Sequence, residues 1–226
     1  IAAGRNEEAK AWIRKGIAAT RDTMPGIADE LRQSLRGIWE REGAWPQVAA
    51  SRSEDFFDEP GVRTYEELRR AAERAGLWPE VRAYCLRYLE TGKPPCPRES
   101  KSKPDSLPAW PLAKVEPPPA DPRWPRKFPM VDVLLDLAID EGQPDLALRW
   151  YEAIGWPSGG WDPGLRDDKV AEAVAEAYPD RAVAIWKKLA EGRIALTQRS
   201  AYEAAAQYLR KIQRVLCGLG DRKSVV

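Results

Sequence analysis

The stretch "ERAGLWPEVRA" (residues 73–83) repeats the pattern of "EREGAWPQVAA" (residues 40–50), with Glu, Arg, Gly, Trp, Pro, Val and Ala in register and 33 residues apart. Glycine readily adopts the left-handed conformation that ends a helix, and proline is tolerated in the first turn of one. Each stretch therefore predicts the end of one helix and the start of the next. The tryptophan is expected to pack between neighbouring repeats rather than to be displayed for a ligand.

A second pair of similar stretches extends this repeat. "GQPDLALRW" (142–150) and "AYPDRAVAIW" (177–186) share Pro-Asp-x-Ala and place Pro144 and Pro179 35 residues apart. A period of 33–35 residues is typical of tetratricopeptide-like helix pairs. The 65 residues from Pro79 to Pro144 are about two periods, because residues 94–129 hold 12 of the chain's 20 prolines and cannot be helical.

The sequence thus predicts an all-α fold, a tetratricopeptide-like α-solenoid of about five antiparallel helix pairs in a single domain, 1–226. The Pro-rich loop, 93–129, is inserted between the two helices of the third repeat. First helices are predicted at about 6–19, 46–57, 79–91, 144–154 and 179–191, and second helices at about 26–42, 62–75, 130–141, 167–177 and 198–217. Glycines 43, 76, 92, 142 and 192 are expected to end helices. In the last helix, Tyr202, Ala205, Leu209, Ile212, Val215 and Leu216 are predicted to form one apolar stripe.

Composition excludes several classes of protein. The net charge of +1 excludes a globally basic nucleic-acid binder, and no stretch approaches the ~20 apolar residues of a membrane span. The absence of histidine excludes Ser-His-Asp and Cys-His catalysis and histidine-ligated metal. Three widely spaced cysteines fit a reducing cytoplasm better than a disulfide framework. Because the chain opens on Ile1 in the middle of the pattern, we expect a fragment of a longer protein.

Acidic pairs and cysteines are the residues that would carry chemistry. The acids of "DFFDE" (55–59), "DLAIDE" (136–141) and "RDDK" (166–169) are predicted at helix ends, with Asp167 and Asp168 as helix cap and dipole partner. Paired catalytic carboxylates must instead converge across a pocket. Cys85, Cys96 and Cys217 lack the close spacing of zinc ligands, and Cys85 and Cys217 fall on apolar stripes, so they are expected to be buried. The sequence predicts no enzyme, and no cofactor or metal bound by this chain.

Basic residues are the basis of an alternative function, nucleic-acid binding. Arg210, Lys211 and Arg214 lie opposite the last apolar stripe, and the Pro-rich insertion adds Lys101, Lys103, Lys114, Arg123, Arg126 and Lys127. Nucleic-acid binding would require these charges to cluster on one surface, whereas a solvated helix face is the commoner reason for such a pattern. The insertion itself is either a polyproline ligand for a partner or a long loop pinned to the solenoid by Trp110 and Trp124. The pinned loop is favoured.

Two long stretches carry a family resemblance, "VRTYEELRRAAERAGLWPEVRAYCLRYLETG" (62–92) and "AEAYPDRAVAIWKKLAEGRIALTQRSAYEAAAQYLRKIQRVL" (175–216). They resemble the helical C-terminal region of bacterial SWIM zinc-finger proteins, and the resemblance covers most of the chain outside the insertion. The zinc motif of that family, Cys-x-Cys followed by Cys-x-His, is absent here, because the chain has no histidine. The resemblance implies that zinc is bound in an N-terminal part outside this chain.

These observations together predict a non-enzymatic, cytoplasmic helical-repeat scaffold that mediates protein–protein interaction. Stacked helix pairs leave an extended concave surface suited to a protein or peptide ligand, and neither a membrane nor a small-molecule substrate is predicted as a partner. Exposed basic residues of the first helices are the predicted contacts: Arg14, Arg82, Arg87, Arg149 and Lys187. The alternative is an accessory nucleic-acid-binding segment that acts with the absent zinc finger.

Overall fold

The fold is all-α, as the sequence predicts. The structure is a computed structural model that describes residues 2–21, 23–95, 107, 109–113, 126–155 and 163–223, with the backbone alone at 2–5, 163–164 and 219–223. These residues contain ten helices and no strand. The helices are α1 (Ala2–Thr20), α2 (Pro25–Glu42), α3 (Trp45–Asp58), α4 (Val62–Arg74), α5 (Trp78–Thr91), α6 (Val131–Asp140), α7 (Pro144–Ile154), α8 (Pro163–Val174), α9 (Pro179–Ile194) and α10 (Arg199–Lys223).

The chain divides into two compact units, 1–129 and 130–226. In the first unit each helix packs against the next along the chain, from α1 to α5, and in the second unit the same holds from α6 to α10. In the second unit α6 also contacts α8. Packing between sequence neighbours is the arrangement expected of stacked helix pairs. The assignment of both units to one domain stays a prediction.

The Gly-x-Trp-Pro stretches form helix boundaries, as predicted. Gly43 and Gly76 each have a φ of +70°, which a residue without a Cβ adopts at little cost. The residue after each glycine donates its backbone N–H to a carbonyl five positions back, Ala44 to Trp39 and Leu77 to Ala72, both at 2.9 Å. This bonding satisfies carbonyls that the helix end would leave open. The next helix then begins directly at the tryptophan.

The prediction that Gly192 ends a helix is wrong. Gly192 lies inside α9, which continues to Ile194. The backbone turns at Thr197, whose φ is +51°, and α10 follows from Arg199. A glycine costs a helix interior only about 1 kcal/mol relative to alanine, so the buried side chains of α9 carry the helix past it. Gly142 and Gly92 do have positive φ at the ends of α6 and α5.

The tryptophans of the two boundaries pack against α4. The Trp78 ring meets the Tyr65 ring edge to face, with centroids 5.1 Å apart. The Arg74 guanidinium lies over the Trp45 ring at 4.3 Å. The helices that begin at these tryptophans, α3 and α5, are therefore both held to α4, as the packing interpretation of Trp-Pro requires.

The core of the first unit is aromatic. The buried rings of Phe56, Phe57, Tyr65, Tyr84 and Tyr88 come from α3, α4 and α5. Phe57 and Tyr88 meet edge to face, with ring centroids 4.9 Å apart. Such pairs stabilise by about 1 kcal/mol beyond the area they bury. The cluster therefore fixes α3 against α5, two of the predicted first helices.

A buried arginine joins α2 to α3. The Arg36 guanidinium donates hydrogen bonds to the Ser51 hydroxyl at 3.0 Å and to the Asp55 carboxylate at 2.7 Å. Burial lowers the pKa of Arg36 and raises that of Asp55, while the attraction between the two charges opposes both shifts. Arg36 is buried and Asp55 is partly buried beside it, and such pairing is the condition under which a buried charge is tolerated. Asp55 therefore has a structural role as the partner of Arg36.

Asp168 joins the helices of the second unit, and the predicted roles of Asp167 and Asp168 as helix cap and dipole partner are wrong. Because α8 begins at Pro163, Asp167 and Asp168 lie within the helix rather than in its first turn. The Asp168 carboxylate accepts hydrogen bonds from the Trp186 indole at 2.8 Å and from Lys211 at 2.6 Å. One carboxylate thus joins α8 to α9 and α10.

The predicted apolar stripe of α10 is also wrong in part. The helix buries Ala201 and Ala205, but Tyr202, Leu209 and Leu216 are about half exposed, at 49%, 51% and 51%. Small side chains let α10 approach α9 closely, so the buried face is centred on the alanines. Cys217 lies beyond this contact and is exposed, whereas Cys85 is buried as predicted.

Candidate functional site

A groove between α7 and α9 is a candidate binding site in the second unit. It encloses about 250 Å³, and most of its surface is apolar. Leu148 from α7 and Ala184 and Ile185 from α9 provide apolar side chains, and Gly155 lies at the C-terminal end of α7. Concave apolar surfaces with a few polar groups are the usual form of a binding site.

Polar side chains border this α7/α9 groove. Glu152 of α7 and Arg181 of α9 both line it and form an ion pair across it. Lys188 lines the same groove one helical turn beyond Ala184. The Tyr178 hydroxyl, just before α9, donates to the Asp145 carboxylate in the first turn of α7. These links join the two helices across the groove, which is present without a ligand.

Tyr151 is a tyrosine of the groove wall whose hydroxyl is buried. Burial raises the pKa of this hydroxyl, and the negative charge of Asp167 on α8 raises it further. The phenol therefore stays protonated at every physiological pH. Because the hydroxyl is buried beside Asp167, Tyr151 does not present a nucleophile or a general base to a ligand near neutral pH.

The predicted contact residues lie on four helices, α1, α5, α7 and α9. Arg14 lies over the Trp39 ring at 6.0 Å, Arg87 over the Tyr84 ring at 5.1 Å and Arg149 over the Trp150 ring at 4.6 Å. Arg82 is half-buried on α5, and Lys187 is exposed on α9. Within the second unit, Arg149 and Lys187 are immediate chain neighbours of Leu148 and Lys188, which line the groove.

Whether these five residues contact a ligand stays a prediction. All five lie off the predicted apolar stripes, whereas the floor of the α7/α9 groove is apolar. The signal that indicates the groove is a small side chain where an earlier repeat has a large one. Ala184 stands five residues after Pro179, whereas Tyr84 stands five residues after Pro79.

The basic residues of α10 do not act as one set. Lys211 donates hydrogen bonds to both oxygens of Asp168 and to Glu172 at 2.6–2.7 Å, and its ammonium lies 5.8 Å from the Trp186 ring centroid. Arg210 and Arg214 are exposed. Lys211 is therefore used in holding α8 and α9 to α10. Of the six basic residues of the insertion proposed above for nucleic-acid binding, Arg126 and Lys127 fall within the described part of the chain.

The Pro-rich insertion is held to the first unit by Trp110. This residue is 6% exposed, and its ring meets Tyr84 at 5.2 Å and Phe57 at 6.0 Å between centroids, both edge to face. The indole N–H donates to the carbonyl of Ala113 at 2.9 Å. The prediction of a pinned loop is confirmed for Trp110, while Trp124 lies outside the described residues.

Two further residues of the insertion contact the same face. Arg126 donates to the carbonyls of Phe57 and Asp58, at the end of α3, and to the Tyr88 hydroxyl. The Phe128 ring lies 5.4 Å from that of Tyr88 and covers Gly92, where a Cβ would approach it to 2.8 Å. The peptide bond between Phe128 and Pro129 is cis.

Within the described ranges, no cluster of three or more acidic or cysteine side chains could hold a metal ion. None of the helices described combines the length and the apolar character that crossing a membrane would need. Comparisons with protein-family models, with curated proteins and with solved structures find no match to this chain.

Proposed function

We propose that this chain is a non-enzymatic, cytoplasmic helical-repeat scaffold that mediates protein–protein interaction by binding a peptide segment of a partner. The observation that supports this function is the preformed α7/α9 groove, bounded by two first helices of the predicted repeats. First helices line the concave face of tetratricopeptide-like stacks, and extended segments bind along such faces. The tetratricopeptide-like solenoid of five antiparallel pairs is part of the same proposal.

The composition of the groove favours binding over catalysis. Its titratable groups are Glu152, which is paired with Arg181, together with Lys188 and a phenol whose pKa is raised. A hydrolytic site would need converging carboxylates or an activated nucleophile. An apolar floor with a charged border is instead the arrangement of a peptide-binding surface, in which a buried anchor residue supplies most of the binding free energy.

A library of random peptides displayed on phage and selected on the purified chain tests this function. We expect enriched peptides that bind the wild-type chain and lose binding when Ala184→Trp fills the groove. The matched control is Ala153→Trp, which adds the same side chain at an exposed position of α7 outside the groove. Selection that enriches no peptide, or peptides that bind both variants equally, would contradict a binding function of this groove.

The relationship to SWIM zinc-finger proteins is a separate part of the proposal. Its support is the likeness of residues 62–92 and 175–216 to the helical region of that family. The upstream coding sequence of the gene tests it, because a Cys-x-Cys motif followed by Cys-x-His is expected there. An upstream sequence without this motif would remove the family assignment and leave the peptide-binding function standing.

A further inference from the structure

The first unit contains a filled counterpart of the α7/α9 groove. The counterpart is the tryptophan site, formed by Phe57 of α3 and Tyr84 of α5, in which the chain's own Trp110 is buried. Both sites lie between consecutive first helices of the predicted repeats. The same chain thus shows one site of this kind with an occupant and a second site without one among the described residues.

The positions that form the two sites correspond residue by residue. Phe57 stands eleven residues after Pro46, and Gly155, in the groove, stands eleven after Pro144. Tyr84 corresponds in the same way to Ala184, since each lies five residues beyond the proline of its own helix. Tyr88, which meets Phe128, corresponds to Lys188 at nine residues beyond.

These correspondences show how the two sites differ. Phe57 and Tyr84 of the first unit correspond to Gly155 and Ala184 in the second, so two aromatic rings are absent from the walls of the α7/α9 groove. A groove of about 250 Å³ lies between α7 and α9 where these side chains are small. An incoming aromatic side chain can restore the buried ring surface that the tryptophan site provides for Trp110.

The occupant of the tryptophan site shows which chemistry such a site accepts. Trp110 stands in the sequence "PAWPLA" (108–113), and its indole N–H donates to the carbonyl of Ala113 in the same segment. The segment therefore satisfies the only polar atom of the side chain by itself, and the ring needs only apolar contacts from the helices. Proline at the position after tryptophan favours the turn that brings this carbonyl back.

On this basis, and resting on the proposed function, we propose that the α7/α9 groove binds a partner protein through a tryptophan flanked by prolines, of the type Pro-x-Trp-Pro. The aromatic ring enters between Leu148 and Ala184. The turn after the tryptophan supplies the acceptor for its indole N–H. Tyr151 and Lys188 line the same groove beside the entering peptide.

The test uses the full-length chain and a fluorescein-labelled synthetic peptide, DSLPAWPLAK, whose sequence is that of residues 105–114. We expect saturable binding that weakens at least about tenfold when the tryptophan of the peptide is replaced by alanine. Ala184→Trp in the chain should reduce the affinity by a similar factor, whereas Ala153→Trp should leave it unchanged. Circular dichroism and urea unfolding establish that both variants are folded.

Hydrogen exchange of the wild-type chain locates the peptide without any substitution. Saturation with the peptide should slow exchange in α7 and α9. Slower exchange in α3 and α5 instead would mean that the peptide replaces Trp110 in the first unit, and it would overturn the proposal. Equal affinity of the tryptophan and alanine peptides would overturn it as well.

The phage selection separates this inference from the function on which it depends. Enriched peptides that bind the groove but contain no aromatic residue next to proline would remove the inference and keep the scaffold function. Selection without any enriched peptide would remove both. A peptide that converts a dimer of this chain into monomers in analytical ultracentrifugation would identify a second copy as the occupant, and the proposal of a partner protein would then be wrong.

Discussion

The indole ring of Trp110 packs edge to face on Tyr84, with ring centroids 5.2 Å apart, although 26 residues separate the two positions along the chain. Tyr84 belongs to α5, and Trp110 belongs to the Pro-rich insertion that follows it. A segment that cannot form helix is thus used as a packing element. The contact turns a long connection into part of the core of the first unit.

Trp110→Ala is expected to destabilise the first unit by about 3 kcal/mol, because it removes a buried ring from contact with Phe57 and Tyr84. Urea unfolding followed by circular dichroism measures this change. Trp12→Ala is the matched control, since Trp12 is 71% exposed and should change the free energy of unfolding by less than about 0.5 kcal/mol. Equal midpoints for the two variants would show that the insertion does not stabilise the helices.

Trp78→Ala tests the packing role of the Trp-Pro boundary. The substitution removes the edge-to-face contact with Tyr65 and is expected to cost about 2 kcal/mol of stability. Trp78→Phe should recover most of this loss, because it keeps a ring next to Tyr65. If Trp78→Ala kept its melting temperature but abolished binding of a partner, Trp78 would be a contact residue and the boundary interpretation would be wrong.

Local chemistry made the helix pattern predictable from the sequence. Gly43 and Gly76 have the left-handed conformation that the repeat requires, and prolines occupy the first turns of α2, α3, α5, α7 and α9. These signals act over four or five residues and need no tertiary information. The prediction that α9 ends at Gly192 failed because burial of the surrounding α9 side chains outweighs the small cost of one glycine.

The groove and the exposed face of α10 could not be predicted from periodicity. Leu209 and Ala205 both fit a helical stripe, but only packing against α9 decides that the alanine is the buried one. The groove likewise depends on what Ala184 and Gly155 lack relative to Tyr84 and Phe57, which appears only when repeats are compared position by position. The sequence supplies the correspondence, but the geometry is needed to show that space remains.

The ion pair between Lys10 of α1 and Glu42 of α2 should make the stability of the first unit depend on pH. Lys10 donates to Glu42 at 2.7 Å and also pairs with Glu7. These hydrogen bonds raise the pKa of Lys10 above its usual 10.5, and the bond from Lys10 lowers the pKa of Glu42 below its usual 4.5. A lowered carboxyl pKa gives stability that is present above 4.5 and is lost as pH falls through the folded-state pKa.

The contribution of Lys10 to stability changes with pH in the opposite direction. Its raised pKa gives stability that is complete below 10.5 and is lost as pH rises through the folded-state value. Glu42→Gln should therefore lower the urea midpoint most between these limits, and the difference from wild type should shrink at both extremes. Glu40→Gln, an exposed neighbour on α2, controls for the change in net charge. A difference that is constant across pH would contradict a contribution from this pair.

The two described thiols should react at very different rates. Cys85 is fully buried, and burial raises the pKa of its thiol, so both access and thiolate formation are suppressed. Cys217 is exposed on α10.

In a Cys96→Ser background, maleimide should modify Cys217 at once and Cys85 only through unfolding of the first unit, slower by on the order of a thousandfold. Cys217→Ser should remove the fast phase alone, and urea should accelerate the slow phase. A Cys85 rate that matched that of Cys217 would mean that the aromatic core around α5 opens readily, and the packing assigned to Trp110 would then be wrong.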